Sequence, residues 1–140
     1  VSAVAALARH GPSGPELPLG DMTHPYAKSK LQSEALAREL QDEGHPVVCV
    51  YPGAIHGPHD PYLGDNNERV LAVLRGRFPL WPTGGLHYVD VRDVAAVLVA
   101  VVEPGRGPRR YVVPGHHVSG PEYYATLGRV SGRRCAHWTG

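Results

Sequence analysis

A helix-forming run that leads directly into a continuous apolar strand is the feature that most constrains this sequence. Residues 25–43 are rich in Ala, Leu, Lys and Glu, and Gly44 and Pro46 then provide a stop signal for a helix. Residues 47–51 read Val-Val-Cys-Val-Tyr, which is typical of a strand that is covered on both faces. A helix followed at once by such a strand predicts an α/β layer with a parallel sheet.

The remaining periodic segments predict further helices and strands along the chain. In the first helix an apolar stripe is formed by Leu31, Ala35, Leu36 and Leu40. Strands are predicted over 1–7, 86–91, 109–114 and 134–138, and helices over 66–77, 92–102 and 119–130. Residues 54–60 follow a strand end and are a candidate ligand-facing loop, because ligands meet parallel sheets at strand ends.

Composition excludes several classes of protein. With 42% hydrophobic and 19% charged residues, the chain is predicted to be globular and soluble. Its formal net charge of +1 comes from interspersed charges, so no nucleic-acid partner is indicated. No apolar run approaches the ~20 residues that span a bilayer, so no membrane association is expected. Cys49 and Cys135 are predicted to be free thiols, which favours a cytoplasmic location.

The start of the first helix carries the strongest chemical signal. Tyr26 and Lys30 are four residues apart, so their side chains lie on one helix face about 6 Å apart along the axis. A cation near a phenol stabilises the phenolate and makes the hydroxyl a better general acid or base. The alternative is an ordinary amphipathic helix start without chemistry.

Other polar pairs are better explained without a metal ion. His56 and His59 have H-x-x-H spacing but lie in a Gly/Pro-rich loop without a Cys or carboxylate cluster, so a substrate-loop or solvent role is favoured and no metal site is predicted. The His116–His117 pair indicates a turn. Asn66 and Asn67 indicate either a substrate contact or a simple helix start.

Three segments in order resemble one known family. Residues 26–30 fit a Y-x-x-x-K pattern, residues 51–58 resemble a nicotinamide loop after a strand, and residues 86–95 resemble a late strand–helix junction. Together they make the chain similar to the second half of an extended short-chain dehydrogenase/reductase, the NAD-dependent epimerase/dehydratase family. The resemblance covers essentially the whole chain.

This resemblance implies the fold class and the domain organisation. We expect an α/β chain that forms the later half of a Rossmann-like parallel sheet, together with part of a small α/β substrate lobe. Residues 1–60 would belong to the partial nucleotide-binding half. Residues 61–140 would supply the remaining sheet and helix elements and the substrate lobe, intertwined with the first part as one domain.

The resemblance also implies roles for particular residues. Tyr26 would be the general acid/base, and Lys30 would assist it and hydrogen-bond the nicotinamide ribose. Backbone contacts to the cofactor, which is NAD or NADP, would come from Pro52, Gly53, Ala54 and Ile55. The family's catalytic Ser/Thr position aligns with Ala3, and Ser2 one residue earlier takes that role only if the strand register differs by one.

No glycine-rich turn of the kind that grips the ADP moiety is found in the sequence. We therefore expect the chain to be the C-terminal portion of a longer protein, and the isolated chain to bind cofactor weakly or not at all. The parent would be an NAD(P)-dependent oxidoreductase, epimerase or dehydratase acting on a hydroxyl- or carbonyl-bearing small molecule. The alternatives are a non-catalytic NAD(P)-binding or regulatory relative and an inactive fragment. By analogy with the family, the helix that carries Tyr26 and Lys30 would be the contact of a homodimer.

Overall fold

The computed structural model describes residues 25–77, 80–81, 84–135 and 138–139. The predictions for the first strand, including Ser2 and Ala3, lie outside the described residues. The helices are α1 (Pro25–Asp42), α2 (Asp65–Leu74), α3 (Val91–Val101) and α4 (Gly120–Ser131). The strands are β1 (Val48–Tyr51), β2 (Ala54–His56), β3 (Leu80–Trp81), β4 (Gly85–Asp90), β5 (Arg109–Val112), β6 (His116–Ser119) and β7 (Trp138–Thr139). No helix in the described part is long and apolar enough to cross a membrane.

Chain contacts divide the described residues into two compact units. The first contains residues 25–53 and 92–114, and the second contains residues 54–91 and 115–139. The assignment of residues 1–60 and 61–140 to two halves of a larger fold stays a prediction.

The first unit is built on a parallel strand pair with a helix packed against it. Strands β1 and β5 run parallel, with Val48 opposite Arg109 and Tyr51 opposite Val112. Helix α1 runs antiparallel to β1, because Gln41 near its end contacts the start of the strand and Glu34 contacts Tyr51 at the strand's end. Gly44, with φ of 87°, makes the reversal between them in a backbone region that favours glycine.

The buried face of α1 differs from the apolar stripe in the sequence. Its buried residues are Ala27, Glu34 and Gln41, whereas Leu36 is 56% exposed. The difference has a physical reason, since both polar side chains find hydrogen-bond partners on the strands, which offsets the cost of burying them.

Gln41 joins three backbone segments of the first unit. Its Nε2 donates to the carbonyls of Val47, at 2.9 Å, and Arg109, at 3.2 Å, while its Oε1 accepts from Arg110 Nε at 2.6 Å. One buried side chain thus ties the end of α1 to the starts of β1 and β5.

The second unit contains a mixed sheet packed on two helices. Strand β4 pairs in parallel with β2 and antiparallel with β6. The core consists of Val73 from α2 with Tyr123 and Tyr124 from α4, and Tyr88 of β4 packs against it. The short strands β3 and β7 pair in parallel.

Most element predictions are confirmed by this structure. They include α1, β1, the helical assignment of α3, and α4, whose N-cap Ser119 accepts a hydrogen bond from the Glu122 amide at 3.4 Å. In the strand predicted over 134–138, the described residues Arg134 and Cys135 are not in a strand, and β7 begins at Trp138. Two further predictions are wrong. Residues 54–56 form β2 where a loop was predicted, and His116 and His117 lie in β6 where a turn was predicted. In both cases pairing with β4 supplies backbone hydrogen bonds that a short local pattern does not reveal.

We predict that Gln41→Leu lowers the free energy of unfolding by about 1–3 kcal/mol, because it removes the hydrogen bonds of Gln41 to the carbonyls of Val47 and Arg109 and to the Arg110 side chain. The measurement is urea denaturation followed by circular dichroism. Gln32→Leu is the matched control, since Gln32 is an exposed residue of the same helix and its substitution should change stability by less than about 0.5 kcal/mol. Equal effects of the two substitutions would contradict the assigned role of Gln41.

Candidate functional site

Tyr26 and Lys30 lie together at the N-terminal end of α1. Lys30 Nζ is 5.6 Å from the centroid of the Tyr26 ring, within the range of a cation–π contact. Tyr26 is 58% exposed, so its hydroxyl group is accessible to a ligand. The structure thus brings together the two side chains that the sequence singled out.

The pair lies toward the carboxyl edge of β1. Glu34 contacts Tyr51, the last residue of β1, and α1 runs antiparallel to this strand. Lys30 and Tyr26 precede Glu34 by one and two helical turns, so they lie on the side of the strand's carboxyl end. Carboxyl ends of parallel strands are where α/β proteins bind ligands.

A cavity of about 250 Å³ opens beside Lys30 within the first unit. Its lining residues come from α1 and from the start of β1, and they include Ser33, Glu34 and Cys49. The cavity therefore lies in the groove between the helix and the strand.

One turn beyond Lys30, a set of hydrogen-bonded polar side chains holds α1 against β1. The Tyr51 hydroxyl donates to Glu34 Oε1 at 2.5 Å, and Arg38 Nε donates to the same oxygen at 2.9 Å. Burial, together with the hydrogen bond to Glu34, holds the pKa of Tyr51 well above its ordinary range. Tyr51 therefore remains a protonated donor and acts as a support for the helix.

Cys49 lies next to this group and is a free thiol, as is Cys135. Burial raises the pKa of Cys49, and the nearby charge of Glu34 raises it further. A thiol that resists ionisation is a poor nucleophile, so Cys49 is a packing residue.

The residues predicted to contact the cofactor through their backbones are divided between the units. Pro52 and Gly53 directly follow β1 in the first unit. Ala54 and Ile55 form part of β2, where they are paired with Tyr88 and Val89 of β4. The carbonyl of Ile55 also accepts from Asn66 Nδ2 at 3.0 Å. Much of the hydrogen-bonding capacity of Ala54 and Ile55 is thus used within the second unit.

In the second unit, Asp60 organises the loop between β2 and α2. Its carboxylate accepts from the amides of Tyr62, at 3.2 Å, and Gly64, at 2.8 Å, and from Asn67 Nδ2 at 2.7 Å. The hydrogen bond from Asn67, followed by that from Gly64, lowers the pKa of Asp60. These contacts hold a loop in which Leu63, with φ of 50°, adopts a backbone conformation that is unusual outside glycine.

The same hydrogen bonds determine the tautomer of a neighbouring histidine. Asn67 donates through Nδ2 to Asp60, so its Oδ1 is an acceptor, and His56 Nδ1 lies 3.1 Å from that oxygen. His56 Nδ1 must therefore carry a hydrogen. The imidazole also packs on the ring of Tyr88, with centroids 4.8 Å apart. These contacts are an alternative to the substrate-loop or solvent role predicted for His56, and they give Asn67 a structural role.

Sequence reasoning found Tyr26 and Lys30 but missed Glu34 and Gln41. The spacing of Glu34 could have pointed to it, since Glu34 follows Lys30 by four residues and lies near the same helix face. Among the described residues, no group of three or more His, Cys, Asp or Glu side chains is arranged to hold a metal ion.

Asp60 gives this loop a pH dependence. Because its pKa is lowered in the folded protein, its stabilisation is present above the ordinary pKa of aspartate and is lost as the pH falls through the lowered value. We predict that the Gly64 amide signal in NMR shifts with that transition in acid. Asp60→Asn is the control and should remove the transition. A Gly64 signal that titrates equally in both proteins would refute the assignment.

Comparisons with known proteins identify the family and the fold of the chain. Residues 2–113 match the model of the NAD dependent epimerase/dehydratase family. A dihydroflavonol 4-reductase-like protein of Synechocystis sp. is 30% identical over 120 residues, which cover 82% of this chain and 35% of the relative. The chain therefore spans about a third of that relative's length.

Solved structures show the same fold. A nucleoside-diphosphate-sugar epimerase from Pseudomonas aeruginosa superposes with a TM-score of 0.80 at 23% identity, covering 99% of this chain and 48% of that one. The UDP-glucose 4-epimerase of Bifidobacterium longum, solved with NAD+ and UDP, gives a TM-score of 0.78 at 21% identity, covering 99% and 50%. These likenesses confirm the predicted Rossmann-like α/β class. With the family match over residues 2–113, they lead to one conclusion: the chain belongs to the NAD-dependent epimerase/dehydratase family.

Proposed function

We propose that this chain carries the acid/base residues of an NAD(P)-dependent oxidoreductase, epimerase or dehydratase that acts on a hydroxyl- or carbonyl-bearing small molecule. The observation that carries the proposal is the position of Lys30 Nζ, 5.6 Å from the ring centroid of an accessible Tyr26. Family membership supports the same chemistry.

Tyr26 is the residue that moves a proton. Its hydroxyl gives a proton to a substrate oxygen in one direction and takes it back in the other. Lys30 assists by placing its ammonium group beside the phenol, with Nζ 5.6 Å from the centroid of the Tyr26 ring. Glu34 and Tyr51 position the helix and take no part in the proton transfer.

The residues present fit a nicotinamide cofactor. Lys30 has donors for a ribose hydroxyl, and Gly53, which follows the carboxyl end of β1, adds a backbone N–H that Pro52 lacks. Ala54 and Ile55 have fewer free backbone groups because they pair with β4. When bound, the nicotinamide supplies hydride transfer.

The ADP moiety requires residues that this sequence does not provide. Since no glycine-rich turn is present and the chain spans 35% of the Synechocystis relative, we propose that another part of a longer protein holds it. The choice between NAD and NADP would be made in that part.

The relatives suggest two substrate classes. One is a nucleotide sugar, as the name of the UDP-glucose 4-epimerase indicates, and the other is a flavonoid-like alcohol, as the name of the dihydroflavonol 4-reductase-like protein indicates, or a steroid-like alcohol. Both classes contain secondary alcohols or ketones, which a phenol hydroxyl can protonate or deprotonate, so the same residues would serve either class.

Ala3 favours a second candidate, a non-catalytic relative that binds NAD(P) without turning over a substrate. The absence of a hydroxyl at this position would remove a donor to the substrate oxygen, which typically costs about 10²–10³ in rate. Binding of NADH without turnover of any alcohol or ketone of the two classes would support this candidate.

Two further proposals concern partners and location. The exposed Leu36 supports self-association through α1, with a second copy covering this apolar side chain. The free thiols Cys49 and Cys135 support a reducing compartment, which we take to be the cytoplasm.

The test of the main proposal is Tyr26→Phe in the full-length form of the protein. We expect kcat to fall by about 10²–10⁴ with little change in KM, because the substitution removes the proton donor and keeps the ring. For a reductase substrate, the steady-state rate of NAD(P)H absorbance change gives both constants; for an epimerase or dehydratase substrate, whose turnover regenerates the cofactor, the rate of product formation gives them.

Tyr62→Phe is the matched control, since Tyr62 is 92% exposed and its hydroxyl should not matter. Lys30→Met should lower kcat and also weaken cofactor binding. Turnover that survives Tyr26→Phe would eliminate the proposed chemistry.

A further inference from the structure

We propose that His87 and His117 form a binding site for a divalent transition-metal ion on the second unit. The two residues face each other directly in the antiparallel pair of β4 and β6. Their ring centroids are 5.1 Å apart with an interplanar angle of 63°. This pair is distinct from the His56 and His59 pair that the H-x-x-H spacing suggested.

The spacing of the rings matches what one metal ion requires. With metal–nitrogen bonds of about 2.0–2.1 Å and about 1.1 Å from ring centre to nitrogen, two imidazoles at a tetrahedral angle have centroids about 5 Å apart. The observed 5.1 Å agrees with that value. Cross-strand partners also have backbones that are fixed by the sheet, so little conformational entropy is lost when a metal binds.

Both imidazoles are available. Each side chain is exposed, and among the described residues the structure records no hydrogen bond from either ring. Gly85 makes room for the pair, because a Cβ atom at this position would lie 2.5 Å from His117 Nε2. A Cβ at position 85 would also lie 2.5 Å from the Val118 carbonyl oxygen, so a substitution there would disturb the pairing of β4 with β6 as well as the His117 ring.

The ligand set determines which ions fit. Two neutral imidazoles suit Cu²⁺, Ni²⁺ and Zn²⁺, whereas Mg²⁺ and Ca²⁺ prefer oxygen ligands. No third His, Cys, Asp or Glu joins the pair within the described part of the chain, so water would complete the coordination. Affinity should follow the Irving–Williams order, with Cu²⁺ bound most tightly.

The experiment is calorimetric titration of the chain, purified without a histidine tag, with CuCl₂, ZnCl₂ and MgCl₂. We expect one high-affinity Cu²⁺ site, weaker Zn²⁺ binding and no Mg²⁺ binding. His87→Ala and His117→Ala should each lower Cu²⁺ affinity at least about tenfold. His116→Ala is the matched control, because His116 is the neighbouring residue and points to the opposite face of β6.

A second measurement does not depend on the variants. In the wild-type protein, substoichiometric Cu²⁺ should broaden the imidazole proton signals of His87 and His117 before those of His56 and His116. The proposal is overturned by an absence of Cu²⁺ binding, by affinity unchanged in both His87→Ala and His117→Ala, or by broadening that begins at other histidines.

Discussion

The hydrogen bond between Tyr51 and Glu34 is the interaction on which the first unit depends. Both side chains are almost completely buried, at 0% and 1% exposure. A carboxylate in such a place is costly unless it is paired, and here Tyr51 and Arg38 donate to the same oxygen. The Glu34 carboxylate therefore favours one rotational setting of α1 on β1, since rotation of the helix would separate Glu34 from the Tyr51 hydroxyl, whereas Arg38 lies on the same helix and would move with it.

This setting determines how far each functional side chain protrudes. Positions four residues apart on a helix differ by about 40° in direction. Lys30 lies four residues before Glu34 and is half-buried. Tyr26 lies eight residues before Glu34 and is 58% exposed. The gradual rotation places the ammonium group at the edge of the protein and the phenol hydroxyl in reach of a ligand. A buried carboxylate one turn away thus orients the Tyr26 and Lys30 side chains at the surface.

The sequence was sufficient to predict those elements that are determined by neighbouring residues along the chain. Helix α1 and strand β1 are encoded by composition, periodicity and the stop signal at Gly44, and the Tyr26 and Lys30 pair follows from helical spacing. Prediction failed for features that depend on contacts between residues far apart in the sequence. Strand β6 exists because β4 supplies its hydrogen bonds. The burial of Glu34 depends on Tyr51, which is 17 residues away, and hydrophobic periodicity assigns no partner to a charged residue.

A double-mutant cycle on the Tyr51 and Glu34 pair tests this account most directly. Unfolding free energies of Tyr51→Phe, Glu34→Gln and the double variant would be measured by urea denaturation. Because the two groups share one buried hydrogen bond, we expect a coupling energy of about 1–3 kcal/mol. Additive effects, with a coupling energy near zero, would show that the bond does not hold the helix in place and would contradict the account.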